Sequence, residues 1–157
     1  MSRITMKKKK LTARDADINR LYEESVQCTE FEVSFINKLF KKYNQTKCKS
    51  LREDFCASGL ISTEWVQDNK DNIAIAVDLD RNMITEAKKT ALSRLTPEQQ
   101  KRISICYGDS SKFNSKTVDC VLATNFSYFV FKDRKNLIKY FKHAYKQLKR
   151  KGIFMLD

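Results

Sequence analysis

The sequence predicts an α/β protein in which helices cover both faces of a mostly parallel sheet, a three-layer sandwich. Two observations carry this prediction. Short apolar runs, typical of strands buried on both faces, recur along the chain. They alternate with longer segments whose apolar residues repeat every three or four positions, as on one face of a helix. Strands that alternate with helices pair in parallel through right-handed crossovers, which places the helices on the faces of the sheet.

Two amphipathic helices are expected to open the fold. Apolar residues at helical spacing define the first between Ile18 and Val26, and the second between Phe31 and Tyr43. The lysine-rich residues 1–14 before them have the composition of a basic, disordered tail. We therefore expect a single domain over residues 15–157.

Strand candidates follow at regular intervals. The first, Ser50 to Phe55, is weak because three charged residues separate Leu51 from Phe55. Ile153 to Asp157 begins a further strand. The apolar runs that predict buried strands are Ile73 to Asp78, which is continuous up to its final acid, Ile103 to Tyr107 and Val118 to Ala123.

Start and stop signals place helices between these strands. Asp80 can cap the helix that ends near Leu95, and Thr96 to Gln99 has the capping residue, proline and glutamine of a short helical turn. The remaining predicted helices run from Gly59 to Gln67 and from Asp133 to Leu148, the second stopped by Gly152.

Ligands of parallel α/β sheets bind beyond the carboxyl ends of the strands, where the strand order reverses. The residues at these ends are Glu53 to Gly59, Asp78 and Leu79, Asp109 and Ser110, and Asn125 to Tyr128. Asp78 lies 19 residues after Gly59, close to the spacing of about 20 between a cofactor turn and the carboxylate that binds a ribose diol. The alternative is that Asp78 only caps the next helix.

At these positions the sequence resembles the class I S-adenosylmethionine-dependent methyltransferases, which have a Rossmann-like fold. Their first loop, close to D-x-G-x-G-x-G, corresponds to Glu53 to Gly59, and their later acidic positions to Asp78 and Asp109. The sequence is similar above all to a bacterial group whose first loop reads L-R-E-D-F-C-G-T. That group shares V-D-L-D at Val77 to Asp80 and N-F-S-Y-F-V-F at Asn125 to Phe131.

The resemblance implies a role for each strand end. Asp78, with Leu79 beside it, would hold the ribose of S-adenosylmethionine, and Asp109 with Ser110 would flank the adenine. Asn125, Phe126 and Tyr128 would line the place where the methyl group meets its acceptor, although a turn residue and core packing are the alternatives. The first-loop residues that would approach the methionyl part are Glu53, Cys56, Ala57, Ser58 and Gly59.

The chain departs from the family pattern at two places. Ala57 replaces a glycine, which costs about 1 kcal/mol if its φ is positive. Class I domains also continue beyond their fifth strand, so we expect a truncated domain that lacks the last strands. Its residues 153–157 would then form an exposed edge that invites a partner chain or self-association. The alternative function is a non-catalytic, truncated binding or interaction module that binds RNA through its lysines.

Composition narrows the remaining possibilities. The five cysteines are odd in number and form no C-x-x-C pair, so we expect reduced thiols and no metal site. The lysine run near the amino terminus is not followed by the apolar stretch of a secretory signal, so we expect a cytoplasmic protein. Cys56 is expected to pack under the turn, and His143 to be solvated.

No apolar run is long enough for a membrane helix. The net charge of +12 attracts polyanions, or reflects a lysine-rich composition. Asn125 to Tyr128 occupies the position of the N/D-P-P-Y loop by which some amino-methyltransferases accept a planar nitrogen, but both prolines are absent. A small-molecule acceptor is therefore favoured over a nucleic acid.

Overall fold

The computed structural model describes residues 28–157, so the predicted tail and the first predicted helix lie outside the described residues. Within that range, five parallel strands form one sheet in the order β3-β2-β1-β4-β5. The predicted α/β class with a parallel sheet is confirmed. The strands are β1 (Ser50–Asp54), β2 (Ile73–Asp78), β3 (Ile103–Tyr107), β4 (Val118–Ala123) and β5 (Leu148–Leu156).

Helices lie on both faces of this sheet, which gives the three predicted layers. The described helices are α1 (Thr29–Asn44), α2 (Leu60–Asp68), α3 (Arg81–Arg94), the single turn α4 (Pro97–Gln100) and α5 (Arg134–Lys146). Helices α1, α2 and α3 share one face, where Trp65 is completely buried among residues of β1, β2 and β4. Helix α5 covers the other face through Tyr140 and Ala144.

Two predicted caps are confirmed. The Asp80 carboxylate accepts hydrogen bonds from the backbone N–H groups of Asn82 and Met83 at the start of α3. Thr96 and Gln99 form a reciprocal capping box around Pro97. These local bonds satisfy N–H groups that have no partner inside the helix.

The charges of β1 do not make it a surface strand. All five of its residues are buried, although Arg52, Glu53 and Asp54 are ionisable. Successive side chains of a strand point to opposite faces. Glu53 therefore faces α2, whereas Arg52 and Asp54 face α5, where their contacts include Tyr140.

Two strand predictions need correction. Strand β3 is partly exposed instead of buried, because it is the edge of the sheet and only β2 pairs with it. Strand β5 begins at Leu148, five residues before the predicted start. Gly152 does not stop the helix. It lies in a bulge between Leu148 and Ile153, where an added Cβ would come within 2.9 Å of the Lys149 carbonyl oxygen.

The predicted apolar face of α1 is also only partly correct. Val33, Ile36 and Phe40 are buried against the sheet side. Phe31 and Phe35 are exposed, and their rings stack with centroids 6.0 Å apart. Apolar spacing alone assigns these two rings to the buried face, because they lie within about a turn of Ile36 and Phe40. None of the helices formed by residues 28–157 has the length and hydropathy needed to cross a membrane.

Candidate functional site

The parallel pairing brings the loops after β1, β2, β3 and β4 to one edge of the sheet. The chain runs outward from β1 through β2 to β3, then returns to β4 on the other side of β1. This reversal between β1 and β4 creates the crevice in which parallel α/β sheets bind ligands. The residues predicted from the strand ends all lie along this edge.

The β1–α2 loop has an alternating left-handed backbone. The φ angles of Phe55, Ala57 and Gly59 are +57°, +46° and +66°, and these are the three positions where the D-x-G-x-G-x-G loop has glycine. Left-handed backbone costs a residue with a Cβ about 1–2 kcal/mol. Ala57, with its positive φ, is therefore strained, and Phe55, at another glycine position of the loop pattern, is a second strained residue.

Glu53 supports this loop from below. Its side chain is buried, and Oε2 accepts hydrogen bonds from the Ser62 backbone N–H at 2.9 Å and the Ser62 hydroxyl at 2.5 Å. Burial raises the pKa of Glu53 to about 7, although the Ser62 bonds oppose that shift. The carboxyl thus holds the first turn of α2 in place, with its bonded oxygen directed at the helix.

Asp78 joins the loop to the end of β2. Its Oδ2 accepts a hydrogen bond from the Ala57 backbone N–H at 2.9 Å, and its Oδ1 accepts one from the Asp80 backbone N–H at 2.8 Å. The side chain is partly exposed, and Leu79 beside it is 61% exposed. An ionised carboxylate has about four acceptor positions, so Asp78 retains capacity for two more donors at the crevice.

The loop after β3 carries Asp109 and Ser110. The Asp109 carboxylate accepts from the Ser111 backbone N–H and hydroxyl, and Lys112 lies 3.2 Å away. Partial burial raises the pKa of Asp109, but these bonds outweigh it and lower the pKa below its ordinary value. Ser110 is buried, and its hydroxyl oxygen lies 3.4 Å from the Phe55 backbone nitrogen as an acceptor. Asp109 is therefore ionised at the rim while Ser110 connects two loops.

A buried network that sequence reasoning missed fixes this loop. The fully buried Arg52 donates to the Asp54 carboxylate at 2.7 Å and to the carbonyl oxygens of Ser110 and Phe113 at 2.9 and 2.8 Å. The Tyr140 hydroxyl donates to the other Asp54 oxygen at 3.0 Å. Burial raises the pKa of Asp54 although Arg52 opposes the shift, and burial also raises the pKa of Tyr140. The only sequence signal was a pair of opposite charges two positions apart in a strand.

The loop after β4 presents aromatic rings at the crevice. Asn125 and Phe126 both have left-handed backbone, and their N–H groups donate to the two carboxylate oxygens of Asp157 at 2.9 and 3.0 Å. Phe126 is 61% exposed and stacks on Phe129, with ring centroids 5.7 Å apart. Tyr128 instead packs against the core side of α5. The exposed rings form an apolar rim on the side of the crevice next to β5.

The structure also shows the surroundings of Cys56 and His143. Cys56 is buried and burial raises the pKa of its thiol, so its expected packing role is confirmed. The expectation that His143 is solvated is wrong. It is partly buried, and its Nε2 lies 2.9 Å from the carbonyl oxygen of Phe113, because the β3–β4 loop folds over this part of α5.

A cavity of about 370 Å³ lies beside Asp109. Its lining residues come from the loop after β3, the segment after β4 and the first half of α5: Asp109, Ser111, Lys112, Phe131, Asn136 and Lys139. In the part of the chain that the structure describes, no three His, Cys, Asp or Glu side chains group as metal ligands.

The fold and this crevice define an α/β protein of the methyltransferase type. The methyltransferase domain family matches residues 54–156, and the chain belongs to that family. The predicted resemblance is confirmed at this level. No curated protein matches the sequence.

Solved structures agree with this assignment. A S-adenosylmethionine-dependent methyltransferase from Clostridium acetobutylicum superposes with a TM-score of 0.71 at 23% identity, over 87% of this chain and 54% of that chain. A S-adenosylmethionine-bound amino pentose methyltransferase from Micromonospora echinaspora gives 0.71 at 14% identity, over 87% and 53%. A sugar N-methyltransferase from Streptoalloteichus gives 0.72 at 17% identity, over 99% and 60%. The chain thus spans between half and two thirds of the length of these proteins, and the similarity is one of fold.

Proposed function

We propose that this chain binds S-adenosylmethionine at the carboxyl edge of its sheet and transfers the methyl group to a small-molecule acceptor. The observation that carries the proposal is the left-handed backbone at Phe55, Ala57 and Gly59, with the Ala57 N–H bonded to Asp78. Two non-glycine residues keep a conformation that an ordinary loop would avoid. Strain of this kind persists where the surrounding structure requires it, as it commonly does at ligand sites.

Asp78 is the residue we assign to the ribose. Its two remaining acceptor positions match the two hydroxyl donors of a vicinal diol. Leu79, which is largely exposed at the same strand end, offers an apolar surface next to the ribose. The fit is favourable because Asp78 is already oriented by the N–H groups of Ala57 and Asp80.

The first loop and the β3 loop would hold the two ends of the cofactor. We assign the methionyl end to the backbone from Cys56 to Gly59, with Glu53 supporting the turn from beneath, and the adenine to Asp109 and Ser110. The Arg52 bonds to the Ser110 and Phe113 carbonyl oxygens keep the adenine side at a fixed distance from β1.

S-adenosylmethionine supplies a methyl group that its sulfonium already activates, so catalysis consists largely of placement and orientation. In this proposal Asn125 and Phe126 position the acceptor, while the exposed ring of Phe129 excludes water from the same side. The structural neighbours include enzymes named for amino pentose and sugar substrates, which supports a small-molecule acceptor. We place this reaction in the cytoplasm.

The experiment is a thermal-shift titration of the full chain with S-adenosylmethionine and S-adenosylhomocysteine, with adenosine as the control ligand. Both cofactor forms should raise the melting temperature, by more than adenosine does. Methyl transfer from labelled S-adenosylmethionine is then measured over a panel of amino sugars and other small amines. A shift without transfer to any member would leave a binding protein, and no shift with either form would overturn the proposal.

A further inference from the structure

Helix α5 carries an exposed row of cations that the proposed site does not use. The row, here called the basic stripe, consists of Lys135, Lys139, Lys142 and Lys146, with Tyr145 among them. These residues are spaced three or four positions apart, so they share one face of the helix. In the described part of the chain none of the four lysines has a carboxylate within ion-pair distance.

The sequence of this region carries charge of one sign. No acidic residue occurs between Asp133 and Asp157, and exposed Arg134, Arg150 and Lys151 flank the stripe in sequence. Helix stability does not account for the pattern. Cations favour the last turn of a helix through the macrodipole, but Arg134 and Lys135 stand in the first turn, where a positive charge is unfavourable. Like charges at this spacing also repel one another along the helix.

We propose that the basic stripe binds a single-stranded nucleic acid. The stripe extends along a 13-residue helix, about 20 Å at 1.5 Å per residue, which is long enough to follow several successive phosphates. The Tyr145 side chain is 76% exposed although it is a large aromatic ring. Proteins bind single-stranded nucleic acids by combining positive charge that follows the phosphates with aromatic rings on which bases stack.

An anionic membrane is the other polyanion to consider, and the packing of α5 argues against it. Helices that lie in a membrane surface insert an apolar face into the lipid. The apolar face of α5 is already occupied, because Tyr140 and Ala144 are buried against the sheet and Phe141 packs with them. On the outer face only Tyr145 and the partly exposed Ile138 are apolar. Nothing comparable to an inserting face remains.

Apart from Lys139, which also lines the cavity beside Asp109, the stripe lies away from the crevice. Helix α5 follows the loop at the carboxyl end of β4 and ends immediately before β5, so it runs antiparallel to the strands and away from Asn125. The nucleic acid bound to the stripe would therefore be a docking partner and not the methyl acceptor. Nucleic-acid binding at the stripe does not require S-adenosylmethionine. It can therefore be tested without measuring methyl transfer.

The test measures binding of the full chain to a fluorescent oligouridylate by anisotropy, as a function of salt. The variant is the triple substitution K135Q/K142Q/K146Q. The matched control is K38Q/K41Q/K42Q, which removes three exposed lysines from α1 on the opposite face. Each lost phosphate contact lowers the salt slope by about 0.7 for single strands, so the stripe variant should lose about 2 from the slope. The control should keep the slope of the natural chain.

Further arms separate the possible explanations. Y145A should weaken oligouridylate binding about tenfold and leave duplex binding unchanged. Equal loss in the stripe variant and the α1 control, or loss only when Lys7 to Lys10 are replaced by glutamine, would overturn the proposal. Tighter binding to a duplex than to oligouridylate would also overturn the proposal. The same holds if the stripe binds phosphatidylserine vesicles and no binding to oligouridylate is seen.

Discussion

The most informative single perturbation of the site is the substitution Glu53→Gln. Glutamine has the size of glutamate and keeps an oxygen that can accept from Ser62, but it cannot ionise. The Glu53 carboxyl is 2% exposed, and burial raises its pKa to about 7 from an ordinary 4.5. Between these two values the unfolded chain loses the Glu53 proton while the folded chain retains it. Unfolding then releases a proton, so the stability of the natural chain falls as the pH rises.

The size of this effect follows from the two pKa values. A difference of one pKa unit corresponds to 1.36 kcal/mol, so raising the pH from 4.5 to 7 costs the natural chain about 3 kcal/mol of unfolding free energy through Glu53 alone. A glutamine at this position carries no such cost. The stability of the variant relative to the natural chain should therefore increase by about that amount over the same interval, and it should remain constant above pH 7.

The assay is urea unfolding followed by circular dichroism at several pH values. Glu98→Gln, at an exposed position in α4, is the control for removing one carboxylate and should show little change with pH. A stability difference between the natural chain and the Glu53 variant that is independent of pH would refute the reasoning. A difference that grows as the pH falls would refute it as well.

Three further predictions concern the loop, the buried network and the bulge. Ala57→Gly removes a Cβ from a residue at φ +46° and should raise the unfolding free energy by about 1 kcal/mol through relief of backbone strain; an unchanged free energy in urea unfolding would contradict this. Tyr140→Phe leaves an Asp54 oxygen without its buried donor and should lower the unfolding free energy by about 1–3 kcal/mol in urea, whereas neutrality would show that the bond is dispensable. Gly152→Ala places a Cβ 2.9 Å from the Lys149 carbonyl oxygen and should cost about 1–3 kcal/mol, and a variant as stable as the natural chain would disprove the close fit.

Sequence patterns located the elements that depend on local or continuous signals. Strands β2 and β4 were placed to the residue because largely apolar runs end at Asp78 and Ala123. The start of α3 followed from Asp80, whose cap involves residues two and three positions away. The strand ends that form the crevice followed in turn, since parallel pairing brings them to one edge.

What the sequence left open depends on partners distant along the chain. The charges of β1 looked unfavourable for a strand, because the groups that satisfy Arg52 and Asp54 lie at residues 110, 113 and 140. Gly152 resembled a helix stop, since its close contact with the Asp119 carbonyl oxygen exists only after β5 pairs with β4. The site roles of Asp78, Asp109 and Asn125 stay predictions, because they concern contacts with a ligand.

The most direct test of the proposed function is isothermal calorimetry of S-adenosylmethionine with the natural chain, Asp78→Asn and Asp71→Asn. Asp71 pairs with Lys49 at the opposite edge of the sheet and controls for the loss of a carboxylate. The natural chain and Asp71→Asn should bind with equal affinity, and Asp78→Asn should bind at least about tenfold more weakly, the loss of roughly one charged hydrogen bond. No binding by the natural chain, or equal binding by all three proteins, would contradict a cofactor site at Asp78.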